Sequence, residues 1–134
     1  MPLIMVVDDM ALAREAVARL LRYEGFQTVS AGNGKEAYAT LYAQKPDLIL
    51  LDLMMPEMDG FEFLDEVRQH EEWRDIPIIV ITARDVTAED RARLNGRVES
   101  VIQKAGRDDM LRQVSSELAK CVGRQARERT AVVA

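Results

Sequence analysis

Short, almost wholly apolar runs alternate along the chain with longer segments whose apolar residues recur every three or four positions. The strand-like runs span Leu3 to Val7, Phe26 to Ala31, Leu48 to Leu51, Ile76 to Thr82 and Val98 to Gln103. Between the first two, Ala13, Ala16, Val17 and Leu20 fall on one face of a helix. Glu15, Arg19 and Arg22 fall on the opposite face, and Gly25 supplies the stop. Asn33 with Glu36, and Thr87 with Asp90, have the spacing of N-terminal helix caps. The last helical segment carries Leu111, Val114, Leu118 and Cys121 on one stripe, with Gln113 and Lys120 on the other. Strands that alternate with helices specify a doubly wound α/β domain, a parallel sheet covered on both faces.

The polarity of each strand sets its place in the sheet. LIMVV, LILL and IPIIVI are nearly all apolar, as strands buried on both faces must be. FQTVSA and VESVIQ mix polar with apolar residues, which suits edges. With right-handed crossovers the simplest five-stranded order is 2-1-3-4-5, with a switch point between strands 1 and 3. Ligand sites in such sheets lie beyond the carboxyl ends of the strands at that point.

Composition narrows the range of functions. A chain of 134 residues suits one domain, expected over residues 1–122, with the arginine-bearing residues 123–134 as a flexible tail. Aromatics are only 5%, so the core is expected to be aliphatic. The lone cysteine, Cys121, excludes an internal disulfide framework and a cysteine-based zinc site, and suits a buried thiol in a reducing, cytoplasmic setting. A net charge of -5 disfavours nucleic acid as a partner. No apolar run approaches the roughly 18 residues that a membrane span needs, so no membrane partner is expected either.

Chemistry gathers at the strand ends. Strand 1 runs into Asp8-Asp9 and strand 3 ends in Asp52, so three carboxylates flank the expected switch point. Two like charges about 4 Å apart repel by roughly 4 kcal/mol at an effective dielectric of 20, which calls for a compensating cation. Oxygen ligands without histidine or thiolate point to Mg²⁺ or Mn²⁺. Thr82 at the end of strand 4 offers a hydroxyl, and Lys104 after strand 5 offers an ammonium. Acids, a divalent ion, a hydroxyl and a lysine around one crevice suit phosphoryl transfer, with Asp52 as the nucleophile.

Each residue also has a plainer reading. Asp8 and Asp9 favour a helix N-terminus, threonine often ends strands, and most lysines are solvated. Three acids on two strands exceed what a cap requires. Gly60 serves the turn before the third helix, His70 and Trp73 are packing or surface residues, and Met54, Met55 and Met58 form no metal box.

The motifs VVDD, DLILLDLMMPEMDG, IIVITA and VIQK, in that order and each at a strand end, resemble the receiver domain of two-component response regulators. The likeness runs from Leu3 to about Val122. It implies a flavodoxin-like fold and phosphorylation of Asp52 by a phosphohistidine on a histidine kinase or histidine phosphotransfer protein. It implies further that Asp9, Asp52 and the Met54 carbonyl ligate Mg²⁺, with Asp8 acting through metal-held water. Thr82 would bind a phosphoryl oxygen and move on activation, Lys104 would pair with another oxygen, and Ala83 would leave the group accessible. Met54 and Arg84 stand where the family tunes dephosphorylation, and Met54 cannot polarise an attacking water.

Two positions depart from the family. Val101 replaces the usual aromatic switch residue, and Ala105 the usual proline after the lysine. A non-proline cis bond costs about 2.5–4 kcal/mol, so a trans bond and a different loop are expected there. These departures keep a phosphorylation-independent adaptor in play, though the full acid, threonine and lysine set argues against it. A phosphatase of the haloacid dehalogenase type would want a second acid at Met54, and Asp8-Asp9 would repel the phosphate of a flavin. The chain is expected to act as a phosphoacceptor switch rather than a metabolic enzyme, with output through protein contacts. The stretch RLNGRVESVIQKAG resembles receivers attached to hybrid kinases. Asp90, Arg91, Arg97 and Arg107 give the region around the fourth helix both signs of charge, suited to a homodimer.

Overall fold

A computed structural model describes residues 2–53, 60–82, 87–96, 98, 100–103, 112–113, 115–117 and 119–120. Strands β1 (Leu3–Val7), β2 (Gln27–Ala31), β3 (Leu48–Asp52), β4 (Ile78–Thr82) and β5 (Ser100–Gln103) alternate with helices α1 (Ala11–Tyr23), α2 (Gly34–Ala43), α3 (Gly60–Gln69) and α4 (Ala88–Leu94). All strand pairs are parallel, in the order β2-β1-β3-β4-β5. The expected order holds for the reason given: β1, β3 and β4 are buried at every position, and β2 exposes part of its length.

Alternation along the strands divides the core in two. Met5, Val7, Ile49, Leu51, Ile78 and Val80 pack with Leu41, Phe63 and Leu64 of α2 and α3. Ile4, Val6, Leu48, Leu50, Ile79 and Ile81 pack with Val17 and Leu21 of α1 on the other face. A strand with period two can be apolar throughout only when both faces are covered.

Three strands begin later than their apolar runs. The Phe26 amide is spent on the Leu21 carbonyl (3.0 Å) and the Gly25 amide on Arg22 (3.0 Å), the paired bonds of a Schellman cap, with Gly25 at φ 96°. Ile76 closes a turn onto the Trp73 carbonyl (3.0 Å), so β4 starts only after Pro77. Val98 precedes the first ladder pair of β5, Ser100 with Ile79.

The face of α1 is also rotated from the expected one. Val17, Ala18 and Leu21 are buried, whereas Ala13, Ala16 and Leu20 are only half-buried. The polar face is as expected: Glu15 meets Arg22 at 2.9 Å and Arg19 at 3.3 Å. Asn33 accepts the Glu36 amide at 2.9 Å, and Thr87 with Asp90 forms a complete capping box. Trp73 is buried and stacked on His70 at 3.7 Å between centroids, with Tyr42 edge-on to Trp73 at 4.8 Å. His70 and Trp73 are thus packing residues. The residues described at 112–113, 115–117 and 119–120 are helical; Leu111, Val114, Leu118, Cys121 and the tail 123–134 lie outside the described residues. Among the described residues no helix is long and apolar enough to cross a membrane.

Candidate functional site

Register brings the acids together. β1 and β3 are neighbours with Val7 beside Leu51, so the residues that follow, Asp8 and Asp52, emerge side by side at the carboxyl edge. Carboxylate oxygens of Asp8, Asp9 and Asp52 lie within 4.8 Å of one another. Asp8 and Asp52 are only 4% and 5% exposed, and Asp9 is half-buried. At such spacing each pair of charges repels by roughly 3–4 kcal/mol at an effective dielectric of 20. Thr82, fully buried, ends β4 one residue beyond Ile81, the register partner of Asp52.

The plainer reading of Asp8 is partly right. Its Oδ1 accepts the Met10 amide at 3.0 Å, a turn two residues long at the entry to α1. That bond does not cap the helix, whose N-cap Met10 has no side-chain bond. The donor set of the trio is all carboxylate oxygen, with two of the three acids buried and no histidine or thiolate, so it fits a hard divalent cation such as Mg²⁺ or Mn²⁺.

Three features of the surroundings escaped sequence reasoning. Arg14 Nη1 donates to the Asp8 carbonyl at 2.7 Å. The Asp8 amide donates to the Ala31 carbonyl at 3.1 Å, joining the β1–α1 turn to the end of β2. A Cβ on Gly60 would lie 2.8 Å from the Leu53 Cα, so Gly60 permits a close approach of backbone beside Asp52. Only the spacing of Arg14, six residues after Asp8, was visible beforehand.

Met54, Ala83, Arg84, Lys104, Ala105, Arg97 and Arg107 lie outside the described residues. Val101 is half-buried and lines an open groove of about 480 Å³ between α4 and β5. Ala88, Arg91, Leu94, Gly96 and Val98 complete most of its wall. Asp90 is the third helical residue of the α4 capping box.

The response regulator receiver domain model matches residues 4–115. The chain belongs to the response regulator receiver family. Response regulator MprA of Mycolicibacterium vanbaalenii is 37% identical over 101 residues, covering 75% of this receiver and 43% of that protein. The receiver thus spans less than half the length of that relative. The signal receiver domain of a signal transduction histidine kinase from Syntrophus aciditrophicus is 30% identical, with a TM-score of 0.77 and 92% of each chain covered. The response regulator TrrA from Thermotoga maritima, solved in complex with Mg²⁺ and BeF, is 30% identical. It has a TM-score of 0.74, with 88% of this receiver and 99% of that chain covered. The flavodoxin-like receiver fold is that of two-component signal transduction.

Proposed function

We propose that this receiver is a phosphoacceptor switch in which Asp52 takes a phosphoryl group from a phosphohistidine on a histidine kinase or a histidine phosphotransfer protein. The observation that carries the reading is the crowding of three carboxylates, two of them buried, around the switch point of the sheet. Asp52 ends a central strand held in register against β4, a fixed position that suits a carboxylate nucleophile. The P–N bond of the donor breaks as an Oδ–P bond to Asp52 forms. Asp8, Asp9 and Asp52 would hold Mg²⁺ or Mn²⁺, with Met54 contributing its carbonyl. That cation supplies charge neutralisation for the acids and for the phosphoryl oxygens. The buried Thr82 hydroxyl donates to a phosphoryl oxygen, Lys104 pairs with another, and Ala83 leaves the approach open. Met54 and Arg84 set the rate of hydrolysis. Catalysis is confined to the receiver's own phosphorylation and dephosphorylation, in the cytoplasm, and output passes through protein contacts.

The test is intact mass after incubation with acetyl phosphate and Mg²⁺, beside an EDTA control. One phosphoryl adduct that EDTA abolishes is expected; an unmodified chain, under conditions that label another receiver, contradicts the reading. A second reading, an adaptor that works without phosphorylation, draws support from Val101 in the α4–β5 groove, where an aromatic switch residue would otherwise stand, and from Ala105. Gel filtration with and without BeF tests a homodimer through the region of Asp90, Arg91, Arg97 and Arg107.

A further inference from the structure

The three acids differ in how they are held. Asp52 belongs to a strand, whereas Asp8 and Asp9 stand on the turn between β1 and α1. Asp9 is the least buried of the three. Asp8 is pinned on three sides: its amide to Ala31, its Oδ1 to the Met10 amide, and its carbonyl to Arg14 Nη1. That carbonyl belongs to the peptide unit joining Asp8 to Asp9. A peptide unit is planar, so fixing its oxygen fixes the direction in which the chain enters Asp9.

The guanidinium is itself seated. A Cβ on Gly32 would lie 2.9 Å from Arg14 Nη1 and 3.7 Å from Cζ, so Arg14 rests on a surface that only glycine leaves open. Gly32 is not in the left-handed region, and its bareness therefore serves packing and not backbone conformation. Gly32 follows Ala31, the residue that accepts the Asp8 amide, so the β1–α1 turn is tied to the end of β2 by backbone and side chain together.

We propose that Arg14, seated on Gly32, is a positioning residue that holds the Asp8–Asp9 peptide so that both carboxylates face a divalent cation. The proposal rests on the reading of the acid trio as the Mg²⁺ or Mn²⁺ site. It makes an unusual prediction of sign. Deleting a positive charge near a cation site should by itself tighten binding, because like charges repel. Loss of a residue that orients metal ligands should weaken it, by roughly 10-fold.

The test is titration of the full chain with Mn²⁺, following the free ion by electron paramagnetic resonance, beside the thermal midpoint of the metal-free protein. Arg14→Ala should weaken Mn²⁺ binding by about 10-fold. Arg14→Lys keeps the charge and one donor, and should restore most of the affinity. Gly32→Ala displaces only the end of a flexible side chain, so it should leave the metal-free midpoint near native yet weaken binding in the same direction. It should add nothing on top of Arg14→Ala. Equal or tighter binding by Arg14→Ala overturns the proposal. If that variant unfolds, unchanged affinity in Gly32→Ala overturns it instead. A native chain that fails to bind Mn²⁺ overturns the reading of the acid trio itself, a result distinct from any difference among variants.

Discussion

At the amino end of the sheet, the Asp47 carboxylate accepts the Leu3 amide at 2.7 Å, and the Asp47 amide donates to the Leu3 carbonyl at 2.7 Å. Arg68 there donates to the carbonyls of Arg74 and Ile76, at 2.9 and 2.8 Å, closing the connection into β4. At the carboxyl end the same two residue types are arranged differently. Arg14 again grips a backbone carbonyl, but the acids Asp8, Asp9 and Asp52 crowd one another within 4.8 Å. An acid matched to a backbone donor completes a loop. Acids gathered against their own repulsion, on strands held in register, form a site for something positive.

Substitutions can break that contrast. The largest effect is expected from Gly60→Ala, because its Cβ would meet the Leu53 backbone at 2.8 Å and neither side can yield cheaply. A loss of about 3 kcal/mol in denaturant unfolding is expected, from overpacking beside Asp52. Asp47→Ala should follow, costing about 2 kcal/mol by the same measurement, since it removes a charge-assisted bond to the Leu3 amide. Asp9→Asn should have the opposite sign: without metal, relief of repulsion should stabilise the chain by about 1 kcal/mol, the half-exposed position screening the rest. Saturating Mg²⁺ should remove that advantage, because the native acid gains more from the ion. A loss of stability in Asp9→Asn without metal would erase the distinction between the two ends.

The smallest effect lies on the outer face of α1. Hydrogen bonds from Arg22 and then Arg19 hold the Glu15 carboxyl below the usual carboxylate range. A lowered folded-state value means that its contribution is present at neutral pH and is lost as the pH falls through that value. Glu15→Gln should therefore lower the thermal midpoint slightly at neutral pH and match the native chain in acid. An equal difference at both pH values would show that the pairs contribute nothing through charge.

The fold was legible because strand polarity reports burial directly. β1, β3 and β4 could only be central, and the acids at the ends of β1 and β3 could then only be neighbours. The phase of α1 was less legible because Ala13, Ala16 and Ala18 carry little hydrophobic signal, so alanines on either side of Val17 fit equally well. Arg14 was missed for a different reason: its partner is a backbone carbonyl, which every residue has and no sequence pattern marks. Gly60 was assigned to a turn, and the demand for glycine set by the Leu53 backbone, seven residues earlier, is a contact invisible in the local sequence.

We propose that Asp52, and neither Asp8 nor Asp9, accepts the phosphoryl group. Borohydride reduction of the acetyl-phosphate-treated chain converts an aspartyl phosphate to homoserine, and peptide mass mapping then locates it. Homoserine is expected at position 52 alone, formed only when Mg²⁺ is present. Homoserine at position 8 or 9, or label at 52 that survives EDTA, would contradict it.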